Sequence, residues 1–109
     1  MLVRIAEIDI DPAQVAAYRA ALAVEIADSL AREPGVLFLF AVAVAGSPAT
    51  VRVIEGYADQ AAYEAHLTTP HFLAYKSGTA SMVRALRLIE TDPIRLESRG
   101  AILIEEKQP

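Results

Sequence analysis

His66 and His71 are the two histidines of the chain. They lie five positions apart in YEAHLTTPHFLAY, on either side of Thr69-Pro70. A neutral imidazole is a proton acceptor suited to pH 7, and a well-placed one contributes about 10²–10⁴ in rate as a general base. A chain bend at Thr69-Pro70 aims both rings toward one space. The alternative for each is a helix-end residue hydrogen-bonded to a carbonyl. As a metal pair they want further ligands; the nearest carboxylate in sequence, Glu64, points elsewhere on a helix, so no metal site is expected. Tyr57, Tyr63 and Tyr75 offer phenolic donors to a ligand oxygen, with Tyr63 expected to pack only and Tyr75 open to a functional role. Arg4, Arg52, Arg84 and Arg87 read as strand residues facing solvent, with Glu7 and Glu55 as their partners.

The elements that carry these residues follow from periodicity. Residues 2–10, LVRIAEIDI, read as a strand that stops at Asp11-Pro12. Asp11 is a good helix N-cap, Pro12 a good first helical residue, and Gln14 can complete a capping box. Val15, Tyr18, Leu22, Ile26 and Leu30 then form an apolar stripe on a helix running to about Glu33, ended by Pro34-Gly35. The next segment, VLFLFAVAVA over 36–45, is apolar at every position, so both of its faces need covering. Helices can cover one face; in a chain this short, the sheet of a second copy is the available layer for the other.

Gly46-Ser47-Pro48 reads as a turn and Val51–Tyr57 as the third strand. Asp59 can cap a short helix holding Tyr63, His66 and Leu67. Thr69-Pro70 restarts a helix with Phe72, Tyr75, Thr79 and Met82 or Val83 on one face, and 84–91 reads as a last strand. The order β-α-β-β-α-β predicts an α+β, ferredoxin-like domain over 1–93, with an antiparallel sheet and helices on one face. Residues 94–109 read as an extension, strand-like at Ile94–Glu97 and Ala101–Glu105, that could pair at a dimer interface.

Composition narrows the function classes. At 109 residues the chain is one domain, and 54% hydrophobic against 22% charged residues is more apolar surface than a monomer hides easily. That excess predicts a homodimer. A net charge of −4 with scattered Lys and Arg argues against nucleic acid and anionic membrane as partners. No uncharged run is long enough for a membrane span, and Arg4 and Glu7 interrupt any signal-like start, so a cytoplasmic protein is expected. The absence of cysteine excludes disulfides, thiolate metal sites and thiol catalysis. There is no phosphate-cradling glycine loop, HExxH or nucleophile elbow.

The segment YADQAAYEAHLTTPHFLAY, with IAEIDIDP near the start and REPGVL before the second strand, resembles the antibiotic biosynthesis monooxygenase family over about residues 2–92. Its most specific part is HLTTPHF, His66 to Phe72. The resemblance implies a dimeric α+β barrel and chemistry such as quinol monooxygenation without metal or flavin. It places His66 at a pocket-facing position. The haem-degrading branch needs an Asn, a Trp and a His where this chain has Ile8, His66 and Lys76, and the chain has no Trp, so haem degradation is not implied. The function expected is cofactor-free oxidation of a small hydroquinone or phenol by O₂, with His66 as base and Tyr75 or His71 as donor. An isomerase or tautomerase of a small carbonyl compound, or a non-catalytic dimeric module binding a small ligand, are the alternatives.

Overall fold

The computed structural model describes residues 1–99. Along the chain come β1 (Leu2–Ile10), a 3-10 turn (Pro12–Gln14), α1 (Val15–Arg32), β2 (Val36–Val44) and β3 (Ser47–Tyr57), then α2 (Gln60–His66), α3 (Pro70–Thr79) and β4 (Val83–Glu90). The four strands form one antiparallel sheet in the order β2-β3-β1-β4, the ferredoxin-like arrangement expected, with the helices on one face. The second helical unit breaks at Thr69-Pro70 into α2 and α3. Among the described residues no helix is long and apolar enough to cross a membrane.

Local chemistry sets most boundaries. Asp11 accepts from the Ala13 N–H at 3.0 Å, while Gln14 donates to the Asp11 carboxylate at 3.3 Å and does not close a capping box on the backbone. Asp59 caps α2 through the Ala62 N–H and Thr69 caps α3 through the Phe72 N–H. The β2–β3 turn is tighter than expected: Val44 pairs with Ser47 around Ala45-Gly46, and Gly46 supplies the positive φ of +78°. Pro48 therefore lies inside β3. It is tolerated there because it falls beyond the last pair with β1, Asp9 with Thr50.

Register sorts the sheet into rows. On the helix side run Ala43-Val51-Ile8-Leu86, Ala41-Val53-Ala6-Leu88 and Leu39-Glu55-Arg4-Glu90. On the other side run Phe40-Ile54-Ile5-Ile89 and Val42-Arg52-Glu7-Arg87. The core lies on the helix side, where Ala6, Ile8, Ile10, Val51 and Val53 pack against Tyr18 and Leu22. Each fully buried Val, Leu or Ile contributes about 1.5–3 kcal/mol.

Two expectations about this packing are corrected. The buried line of α1 is Tyr18, Leu22, Glu25 and Ser29, and Leu30 is 44% exposed. At about 100° per residue, Leu30 lies roughly 120° round from Tyr18, whereas Glu25 and Ser29 stay within about 20° of it. Arg4, expected in solvent, is buried: its guanidinium lies 4.1 Å over the Tyr63 ring and pairs with Glu90 at 3.1 Å. Residues 91–98 have no regular structure and Ile94 is fully exposed, so Ile94–Glu97 is not a strand within the single chain. Ala101–Glu105 lies outside the described residues.

Candidate active site

The helices cover β3 and β1 but leave a cavity of about 510 Å³ between themselves and the sheet. Val53, Ala6, Leu86 and Leu88 form its apolar floor, while Glu25, Glu55, His66 and Tyr75 bring polar groups to its wall. Its size and largely apolar lining with few polar groups suit a small ligand.

His66 closes one end. It is the last residue of α2, 4% exposed, and lies against the Tyr57 and Phe72 rings at centroid distances of 5.4 and 4.8 Å. The α1–β2 turn allows this close seat: a Cβ on Gly35 would stand 2.6 Å from that of Ala62, so only glycine lets α2 approach. That approach carries Glu33, two residues earlier, onto both histidines. The Glu33 carboxylate stands 2.9 Å from Nδ1 of His66 and 2.6 Å from Nε2 of His71. Burial works to raise the Glu33 carboxyl, but the hydrogen bonds and charges of the two imidazoles outweigh it and hold the group below its ordinary value of 4.5. An ionised carboxylate only accepts, so the two ring nitrogens facing it carry hydrogens. Nε2 of His66 is then the ring nitrogen turned away from Glu33, and it lies 3.6 Å from Oε1 of Glu25.

The remaining polar groups differ in state. Burial raises the Glu25 carboxyl, opposed by the Ser29 hydroxyl donating to Oε1 at 2.9 Å. Oε2 of Glu25 is buried with no hydrogen-bond partner. Burial likewise raises Glu55, which accepts from the Tyr57 hydroxyl at 2.8 Å. Tyr75 reaches the cavity with its hydroxyl 2.6 Å from that of the fully buried Tyr18. Burial raises both phenols, and at Tyr75 the hydrogen bond with Tyr18 works the other way.

A family model for antibiotic biosynthesis monooxygenases matches residues 1–77. The chain belongs to that family. A candidate antibiotic biosynthesis monooxygenase of Bacteroides thetaiotaomicron is 46% identical in sequence, with a TM-score of 0.88 over 90% of this chain and 95% of that one. A candidate monooxygenase of Lactobacillus acidophilus is 28% identical with a TM-score of 0.78, covering 80% of this chain and 41% of the other. A candidate family member from Nitrosomonas europaea shares the fold at 21% identity, with a TM-score of 0.82 over 87% of this chain and all of that one. Among curated proteins, none matches this chain.

Within this member of the family, the three residues singled out from sequence occupy different places. His66 and Tyr75 line the cavity. His71 does not; it sits behind Glu33, at a groove with Asp28, Arg32 and Pro70. The expectation that no carboxylate accompanies the histidines is corrected: Glu64 stays outside, 3.3 Å from Gln60, but Glu25 arrives from α1 and Glu33 from the residue that caps its C-terminus. Sequence reading placed none of Glu25, Glu33 and Glu55 at the site. Glu25 carried a legible signal, since it falls three residues after Leu22 and four before Ser29 on the buried line. Of the expected arginine partners, Glu7 pairs with Arg52 and Arg87 at 3.2 and 3.5 Å, whereas Glu55 takes Tyr57.

Proposed function

We propose that the chain is a cofactor-independent monooxygenase that oxidises a small hydroquinone or related phenol with O₂. The observation that carries this reading is the Glu33–His66 contact, which holds one ring nitrogen of a cavity-facing histidine and presents the other. His66 Nε2 removes the phenolic proton. The phenolate passes one electron to O₂, and the phenoxyl radical and superoxide recombine at a ring carbon. The resulting peroxide takes a proton, and its O–O bond breaks as the ring C–H is lost. One oxygen atom stays as a carbonyl and the other leaves as water, so hydroquinone and O₂ give hydroxyquinone and water. The Tyr18 and Tyr75 hydroxyls share a hydrogen bond that either can donate; with Tyr18 as the donor, the Tyr75 hydrogen is left for the developing oxyanion. The apolar floor keeps water from the radical pair. His71, behind Glu33, acts as a positioning residue.

The test is oxygen uptake by metal-free protein against hydroquinones and naphthols. His66→Ala is expected to lower the enzymatic rate by about 10²–10⁴. Uptake unchanged in that variant removes His66 as the base. A second reading rests on Glu55, a carboxyl raised by burial that lines the same cavity as His66. Such an acid and base together suit an isomerase of a small carbonyl compound, which exchanges substrate hydrogens with solvent and consumes no oxygen. A ligand-binding module predicts that replacing both histidines leaves ligand affinity intact.

The functional unit in this proposal is a homodimer in the cytoplasm. The row Phe40-Ile54-Ile5-Ile89 and its neighbour Phe38 form an apolar sheet face that no element of the described chain covers, with Phe40 42% exposed.

A further inference from the structure

We infer that Glu25, His66 and His71 form a binding site for a divalent first-row transition-metal ion such as Zn²⁺. One ligand atom from each lies within 4.8 Å of the others. Ligand atoms about a tetrahedral ion at roughly 2.0–2.2 Å lie about 3.3–3.6 Å from one another, so the widest separation among the three has to close by at most about 1.5 Å.

The donor set selects the class of ion. Two imidazoles and one carboxylate suit first-row transition ions, whereas Mg²⁺ and Ca²⁺ prefer oxygen ligands throughout. All three side chains are nearly removed from water, with Glu25 and His66 each 5% exposed and His71 11%. A second feature points independently to a cation. Oε2 of Glu25 is buried and unpartnered although Oε1 takes the Ser29 hydroxyl. A buried acceptor without a donor is costly, and a cation is the partner that satisfies it. Glu33, in contact with both imidazoles, is the carboxylate that orients histidine ligands and strengthens their donation. Three protein ligands leave coordination positions free, and Glu25 and His66 both border the cavity.

This site goes beyond the oxygenase reading and does not depend on it. An ion held by His66 occupies the lone pair that the proposed base needs, so the loaded protein has no free base. The metal-free protein is then the active form, and Zn²⁺ is a reversible inhibitor.

The experiment uses the full chain, stripped of metal by chelator and titrated near neutral pH with Co²⁺ by visible absorption and with Zn²⁺ by calorimetry. Expected are saturable ligand-field bands at one Co²⁺ per chain, displaced by Zn²⁺, and affinity at least about tenfold weaker in both Glu25→Gln and His71→Ala. Glu25→Gln preserves side-chain shape, and His71→Ala changes a residue outside the core; thermal unfolding shows that each is folded. No saturable spectrum overturns the proposal, as does an affinity in either variant equal to that of the parent protein. Failure here leaves the base assignment standing, because oxygen uptake by metal-free protein decides that separately. Co²⁺ binding with no oxygen uptake by the metal-free protein keeps the site and removes the oxygenase.

Discussion

The two faces of the sheet differ in a way the strands alone do not dictate. Under the helices, β1 and β3 present Ile8, Ala6, Val51 and Val53, and then at the next level the polar row Glu55-Arg4-Glu90. On the bare face the order is inverted: the apolar row Phe40-Ile54-Ile5-Ile89 is flanked by the charged row in which Arg52 and Arg87 both reach Glu7. The covered face has charge where it borders the cavity. The bare face has its charges paired among themselves, so what it offers a partner is shape and apolar area. If the chain reacts in its cavity and dimerises through its bare face, as proposed, chemistry and assembly lie on opposite sides of one layer, and a substitution should disturb one without the other.

The sharpest way to break this comparison is to place the same residue on each side. Val51→Asp puts a carboxylate into the core, where Val51 is 3% exposed, and is expected to cost more than about 3 kcal/mol and unfold much of the protein. Phe40→Asp, on the bare face, should leave the chain folded but shift its mass from dimer to monomer in sedimentation. Folded and dimeric Phe40→Asp protein would show that the bare face is not the dimer contact. Next in size is Gly56→Ala. The Phe38 ring lies over Gly56 where a Cβ would stand, and Phe38 stacks on Phe40 at 5.2 Å. Overpacking there is expected to cost about 1–3 kcal/mol in chemical denaturation. Because the displaced ring is on the bare face, the loss of dimer should exceed the loss of oxygen uptake at saturating protein.

These faces were legible in the sequence to different depths. Asp11, Asp59 and Thr69 announced helix starts because capping is a contact within three residues, and β1 was bounded correctly by the same local chemistry. The two-sided apolarity of β2 pointed to an uncovered sheet face. The cavity wall was not legible, because its acids come from other elements: Glu33 reaches His66 only because Gly35 admits Ala62, a contact between residues 27 apart. The α1 stripe misled for a simpler reason. Leu30 is apolar and four residues from Ile26, yet successive steps of four carry a residue off the buried line by about 40° each. Ser29 and Glu25 took that line because they bond each other.

A smaller effect separates the acids of the covered face. Glu25 and Glu55 are raised above 4.5 by burial, so the native state holds their protons longer than the unfolded chain does. Stability from these groups is full below 4.5 and is lost as pH rises through the raised values. Glu33 has the opposite sign: lowered from 4.5, it contributes above that value and the contribution is lost as pH falls. Glu25→Gln keeps an acceptor for Ser29 while removing the ionisation, so the melting temperature should decline less steeply with rising pH above 4.5 than in the parent protein. Bare-face variants such as Phe40→Asp carry no change in these acids and should keep the parent's slope. An unchanged slope in Glu25→Gln would mean that Glu25 does not titrate against burial.

The smallest effect concerns how firmly α2 holds His66 over the cavity. Asp59 accepts from the Ala62 N–H at 2.8 Å, and α2 is only 7 residues long. A helix that short has few backbone bonds of its own, so its cap and its packing share the task of ordering it. Asp59→Ala is expected to lower stability by about 1 kcal/mol, which for a domain of this size is about 4–8 °C in melting temperature. Oxygen uptake should fall far less than in His66→Ala, since Tyr57, Phe72 and Glu33 still surround the ring. The dimer should be untouched, because α2 lies wholly on the covered side. If Asp59→Ala dissociates the dimer, the two faces are coupled through α2 and the division of labour between them fails.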